Sequence, residues 1–256
     1  MFHVKHKGAP ARIPQSRPQR STALPDSIAH DVRERVERWL GETNLNPRHG
    51  FLGRIEKMTA TLVLWGTHTN LTADPSDPAE IAFHVIDSLA PVALASGANR
   101  EALDAALAEG AAVLDLGSGA GFPGLVLAAA FQARFTLAET RRKRASYLQV
   151  AAQEMALENV SVESRRASVK NVPAGFNLVT ARAFGTSAEV YEIAAAALRP
   201  GALFLLYASA DQAPHASSAS LFGEAAAWTY RVPHGRRVAT RAAFLWRKPS
   251  ASSLDP

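Results

Sequence analysis

Val113-Leu114-Asp115-Leu116-Gly117-Ser118-Gly119-Ala120-Gly121-Phe122-Pro123-Gly124 is the stretch that decides the fold of this 256-residue chain. Its apolar start reads as a short buried strand that runs straight into glycines alternating with small residues. Glycines at 117, 119 and 121 remove the Cβ atoms that would hold a ligand away from the backbone. Pro123 suits the first position of a following helix, whose free amide groups face the same ligand. In an open α/β sheet, ligands bind beyond the carboxyl ends of the strands, where this loop falls. A plain turn needs one glycine, and this stretch holds four within eight residues. Gly119, Gly121 and Gly124 also match the dinucleotide pattern G-x-G-x-x-G. Against a nicotinamide or flavin site, Asp115 stands where such folds usually carry an apolar residue, and only one half of the chain shows a nucleotide loop.

Downstream, short apolar runs alternate with helical stretches. Candidate strands cover 111–116, 134–139, 160–163, 176–181, 202–207, 227–232 and 241–247, with helices at 123–131, 141–156 and 187–198. Alternation of this kind implies a parallel sheet with right-handed crossovers. The last two strands have no helix between them and form an antiparallel hairpin. Glu139 closes the second strand, where an acid can accept two hydrogen bonds from ribose hydroxyls; it can equally start the next helix, since acids favour helix N-termini. The run Arg141-Arg142-Lys143-Arg144 is either an RNA-facing patch or a solvated turn with one arginine paired to Glu139.

Upstream, the pattern is helical. Ile28, Val32, Val36 and Leu40 form one apolar stripe, and Leu52, Ile55, Met58, Leu62 and Trp65 a second. Asp77-Pro78 reads as an N-cap followed by proline at the first helical position, opening a helix with Ile81, Val85, Ile86 and Leu89. A short alanine-rich helix covers residues 100–109. His84 and Asp87 share a helical face and read as a structural hydrogen-bonding pair rather than as acid and base. The expected division is a disordered basic arm at 1–25, a helical N-terminal extension at 26–110, the α/β unit at 111–250 and a tail at 251–256.

Apolar residues make up 47% and charged residues 20%, which supports a folded core and excludes wholesale disorder. Cysteine is absent, which removes disulfides, thiolate metal sites and a cysteine nucleophile. No metal site is expected. Neither a signal-peptide stretch nor a membrane span is visible, so the expected location is the cytoplasm. The formal charge is +5, yet residues 1–25 and 225–254 hold eleven of the 28 basic residues and no acid, leaving the middle net negative. Basic ends suit a polyanion such as RNA, or are a solvated tail and an ordinary charged edge.

Taken together, several segments resemble one family, the bacterial 16S ribosomal RNA guanine-N7 methyltransferases (RsmG, formerly glucose-inhibited division protein B). Trp65-Gly66-Thr67-His68-Thr69-Asn70-Leu71-Thr72 looks like the family's tryptophan followed by Asn-Leu-Thr. Phe83-His84-Val85-Ile86-Asp87-Ser88-Leu89 is similar to its His-x-x-Asp-Ser-Leu segment. Gly117 to Gly124 matches Gly-Ser-Gly-Ala-Gly-[Leu/Phe]-Pro-Gly, and Glu139 to Arg144 with Tyr147-Leu148 resembles Asp-Ser-x-x-Lys-Arg-x-x-Phe-Leu. Ala181-Arg182-Ala183-Phe184 matches Ser-Arg-Ala-Phe. The resemblance runs over residues 60–248, in order.

That resemblance implies an α/β class I S-adenosylmethionine-dependent methyltransferase, with a Rossmann-like seven-stranded sheet and an N-terminal helical extension. It implies methylation of a guanine N7 in 16S ribosomal RNA, at guanine 527, with the RNA or the small ribosomal subunit as partner. Cofactor contacts follow at Gly117, Phe122, Ala167, Ser168 and Arg182, beside Asp115, Gly119, Gly121 and Glu139 from the loop reading. Arg182 is the catalytic candidate. The family's acid after the third strand is replaced here by Ser168, and its Lys-Gly after the fifth by Ala208-Ser209.

Elimination points the same way. A guanine N7 already carries an exposed lone pair, so methyl transfer needs positioning more than proton removal. Exocyclic adenine methylation typically uses Asn/Asp-Pro-Pro-aromatic after the fourth strand, where this chain has Thr180-Ala181-Arg182-Ala183-Phe184. Pyrimidine C5 methylation needs a cysteine. Arg182 fixes the guanine O6 or a phosphate and Phe184 stacks on a base, or the two are a salt-bridged arginine and a core phenylalanine. The rivals are an RNA-binding ribosome assembly factor with reduced activity and a small-molecule methyltransferase.

Overall fold

The computed structural model describes residues 25–182, 187–215 and 217–250. Four helices come first: α1 (Pro25–Gly41), α2 (Phe51–Gly66), α3 (Pro78–Leu94) and α4 (Gly97–Leu107). Strands and helices then alternate through β1 (Ala112–Leu116), α5 (Gly124–Ala130), β2 (Arg134–Ala138), α6 (Arg142–Glu154) and β3 (Val160–Glu163). The chain continues with β4 (Phe176–Arg182), α7 (Ala188–Ala197), β5 (Leu198–Ser209), α8 (Ser217–Phe222), β6 (Ala226–His234) and β7 (Arg237–Arg247). The expected arm and tail, the Phe184 stacking role and the end of the Ala181–Phe184 motif lie outside the described residues.

All seven strands form one sheet in the order β3-β2-β1-β4-β5-β7-β6. Neighbours from β3 to β5 are parallel, whereas β7 runs antiparallel to both β5 and β6. The strand order reverses beside β1, between the crossovers through α5 and α7, and this is where an open α/β sheet leaves its ligand crevice. The sheet is thus the class I methyltransferase sheet, and all seven expected strands are present. Two differences stand out. β5 starts earlier than expected, following α7 without a loop, and α8 was not anticipated because its six residues show no helical period.

Alternation along β1 divides the core. Val113 faces a cluster shared with α1 to α6, while Leu114 and Leu116 face a second cluster built on α7. In α1 the stripe Ile28, Val32 and Val36 is buried as expected, but Trp39 rather than Leu40 completes it. Asp77 caps α3 by accepting a hydrogen bond from the Ala79 amide at 2.8 Å, with Pro78 next in line. The β6–β7 turn is Gly235-Arg236; Gly235 has φ 60° at the position where a type II′ hairpin turn selects glycine. Among the described residues no helix is long and apolar enough to cross a membrane.

Candidate active site

The glycine loop leaves β1 and folds back over the carboxyl end of β2. Gly117 and Ser118 donate their amides to the Ala138 carbonyl at 2.9 and 3.1 Å, and Gly121 donates to Ser118 at 2.7 Å. Gly121 sits at φ 88°, where a side chain would be strained and would also strike Leu125. At Gly124 a Cβ would collide with Leu137 and with the Asp115 carboxylate, so glycine there lets α5 pack directly on the sheet. Pro123 is the N-cap of α5 and not its first residue, one place earlier than the sequence suggested.

Asp115 lies beneath this loop, fully buried. Its Oδ1 accepts the Thr180 hydroxyl at 2.7 Å, while Oδ2 finds no hydrogen-bond partner among the described residues. Burial pushes its carboxyl up to about 6, against the opposing pull of the Ser118 and Thr180 hydroxyls and the Arg182 charge. It supports the loop from below and does not form a cavity wall.

Two cavities meet at Gly117. One, of about 340 Å³, is lined by Leu116, Gly117, Ala138, Thr140, Ala167 and Ile193, with the exposed Arg165, Arg166 and Glu189. The other, of about 510 Å³, lies between the loop and the helices before β1; Asn70, Thr72, Glu80, His84, Gly119, Phe122, Arg144 and Arg182 line it. Of the expected site residues, Gly117, Gly119, Phe122, Ala167 and Arg182 therefore face open space. Ser168 lines neither of these two cavities; its amide is bonded to Asn171 Oδ1 at 2.8 Å, which shapes the loop that presents Ala167.

Glu139 serves the loop and the next helix at once. Its Oε2 accepts the Gly119 amide at 2.9 Å and its Oε1 the Arg141 amide at 2.8 Å. The expected pairing with an arginine of the basic run is thus made by backbone, not by a guanidinium. Arg141, Arg142 and Lys143 are exposed, and Arg144 reaches the Asn70 carbonyl at 2.6 Å, tying α6 to the segment that walls the second cavity. Glu139→Ala removes the charged acceptor that holds Gly119 in the loop, a hydrogen bond worth about 1.5–3 kcal/mol, so cofactor affinity should fall roughly ten- to a hundredfold. Calorimetry finding unchanged affinity in a folded variant would remove Glu139 from the cofactor's side of the site.

Arg182 ends β4 with its guanidinium in the second cavity. One terminal nitrogen, Nη1, lies 3.2 Å from Asp87 Oδ2 and 3.4 Å from His84 Nδ1, and the group sits 5.3 Å from the centre of the Phe122 ring. Asp87 is wholly buried; its Oδ1 accepts the Tyr230 hydroxyl at 2.8 Å and Arg241 Nε at 3.2 Å. Arg182 is salt-bridged, as its structural reading expects, and it also lines the cavity. The cluster pins α3 to β4, β6 and β7, as the structural reading of Asp87 expects. Sequence reasoning missed Glu80, Tyr230 and Arg241. Glu80 stands four residues before His84, a spacing that pairs side chains on a helix; the other two carry no signal until the hairpin register is known.

Three of the six basic residues of the C-terminal stretch make internal contacts. Arg241 serves Asp87, Arg247 donates to the Gly201 carbonyl, and Lys248 donates to the carbonyls of Ala195 and Leu198. Arg231, Arg236 and Arg237 remain exposed. Among the described residues no group of three or more His, Cys, Asp or Glu could hold a metal ion.

A glycine loop with a left-handed backbone and an apolar lobe on one side suits an adenosine. A lobe on the other side that holds Arg144 and Arg182 suits an amino acid carboxylate. Fold and site define a class I S-adenosylmethionine-dependent methyltransferase. Residues 52–222 match the family described as rRNA small subunit methyltransferase G (GidB), to which this chain belongs. It is 33% identical over 214 residues to the "Ribosomal RNA small subunit methyltransferase G" of Xanthomonas axonopodis pv. citri (strain 306), covering 83% of this chain and 91% of that protein. It is 40% identical over 146 residues to the protein of the same name from Solibacter usitatus (strain Ellin6076), covering 56% of this chain and 63% of the other. Among solved structures it is similar to a SAM-dependent O-methyltransferase from Thermotoga maritima, with TM-score 0.42 and 16% identity over 58% of this chain and 63% of that one.

Proposed function

We propose that this protein methylates N7 of a guanine in 16S ribosomal RNA, working in the cytoplasm on the RNA or the small subunit. The observation that carries this reading is the second cavity, which opens beside the glycine loop and holds Arg182 against Phe122. Bound S-adenosylmethionine supplies an electrophilic methyl group on a sulfonium centre. Gly117, Gly119, Phe122 and Ala167 would hold it, with Asp115, Gly121, Glu139 and Ser168 fixing the loops that do so. Arg182 is the catalytic candidate because its guanidinium can donate to the guanine O6, the atom next to N7. The helical extension at 26–110 and the cofactor-binding unit at 111–250 belong to the same reading, the former supplying Asn70, Glu80 and His84 to the substrate side.

N7 attacks through a lone pair and loses no proton, so no side chain needs to act as a base. His84 fits that picture. A guanidinium only donates, so Nδ1 facing Arg182 is the ring's lone-pair nitrogen and the N–H is on Nε2, toward Glu80. Burial keeps this imidazole below its usual range and neutral. Single-turnover transfer of labelled methyl to 16S ribosomal RNA should then be nearly flat from about pH 6.5 to 9, falling only as Asp115 takes its proton near about 6. A steep rise through one ionisation would make His84 or another group a base. No transfer with tight RNA binding would favour an assembly factor, and transfer only to metabolites a small-molecule enzyme.

A further inference from the structure

Glu80 is the third residue of α3, where an acid behind an N-cap aspartate usually reaches back to the cap's own amide. Here the Asp77 amide is bonded to Asp74 instead, and the Glu80 carboxylate turns to the second cavity. Its Oε1 accepts from His84 Nε2 at 3.1 Å and its Oε2 from His234 Nε2 at 2.6 Å. The His84 hydrogen bond, foremost, overrides burial and holds the Glu80 carboxyl down at about 2, so it is an anion across the working range. A carboxylate oxygen has two acceptor sites, and each oxygen of Glu80 has given one to an imidazole. One site on each oxygen remains. The carboxylate and the Arg182 guanidinium therefore stand on either side of the neutral His84 ring, an acceptor pair and a donor on one cavity wall. On the same wall Thr72 Oγ1 is buried with no partner among the described residues, a cost that an incoming polar ligand would relieve.

We propose that Glu80 is the specificity-determining residue for the target base, accepting the N1–H and the N2 amino group of guanine while Arg182 donates to O6. The inference rests on the guanine-N7 reading. Of the four RNA bases only guanine offers two adjacent donors on its Watson–Crick edge. Adenine and cytosine turn a ring lone pair to that place, which a carboxylate repels, and uracil offers one N–H between two carbonyls. The edge so bound is not the one that carries N7, which stays free to take the methyl group.

The test uses the whole protein and small subunits reconstituted with 16S ribosomal RNA carrying either guanosine or inosine at the methylated position. Inosine keeps N1–H, O6 and N7 but lacks the N2 amino group. The wild-type protein should act on inosine about tenfold less efficiently in kcat/KM, within the range by which a bidentate contact discriminates. Glu80→Gln should lose about ten- to a hundredfold on guanosine, discriminate between the two bases by less than about twofold, and bind S-adenosylmethionine with unchanged affinity by calorimetry. Equal wild-type efficiency on the two bases overturns the proposal without any variant. So does a Glu80→Gln protein that keeps the full discrimination. Failure of the underlying reading shows separately, as a wild-type protein that puts no methyl on the guanosine subunit.

Discussion

Asp87→Ala is expected to cost the fold about 3–5 kcal/mol, because it strands two largely buried guanidinium groups without their ion-pair partner. Asp87 sits at zero exposure between three donors: Arg182 on one oxygen, Tyr230 and Arg241 on the other. The two arginine side chains are only 14% and 19% exposed, so water recovers little of what the carboxylate supplies. α3 would lose its polar anchor to β4, β6 and β7 together. Asp87→Asn keeps the shape and one acceptor oxygen and should lose less. Urea denaturation at pH 7.5 measures both. A loss under about 1 kcal/mol for the alanine variant, ordinary for a surface ion pair, would mean that the cluster is open to solvent and not an anchor.

Arg182→Ala should lower single-turnover methyl transfer by about a hundredfold, the scale of a misplaced reacting group. The variant should also lose stability, since Arg182 is one of the cations balancing Asp87. The loss should still be smaller than for Asp87→Ala, because Arg241 and Tyr230 remain on the other oxygen. Arg182→Lys separates the two roles. It keeps a positive charge beside Asp87 and should recover most of the stability, but it cannot reproduce the planar fork beside Phe122 and should recover little of the rate. Parallel recovery of both would reduce Arg182 to a structural cation.

Why these residues behave as they do was legible in the chain to different depths. The strand and glycine loop could be read because each glycine answers a local demand, a left-handed turn at Gly121 or close packing at Gly124. The α3 cap and the terminal hairpin were legible for the same reason, as local chemistry at Asp77-Pro78 and as two apolar runs without an intervening helix. The partners of Asp87 were not. Tyr230 and Arg241 face each other only in the register set by the Gly235-Arg236 turn, and a one-residue slip would turn either to the opposite face of the sheet. Charge counting at the C-terminal end likewise could not tell that Arg241 and Lys248 donate inside the molecule. Glu80 was hidden for a subtler reason. Its position after an N-cap suggests a capping acid, and only the three-dimensional placement of His234 beside it turns it to the cavity.

The identity of the methylated atom tests the central claim most directly. Small subunits lacking the modification are incubated with the protein and labelled S-adenosylmethionine, and their 16S ribosomal RNA is digested to nucleosides for mass spectrometry. The account predicts the label in one product, a guanosine carrying the fixed positive charge of N7 methylation. Label on an exocyclic amine, on a pyrimidine carbon or only in small metabolites would contradict it.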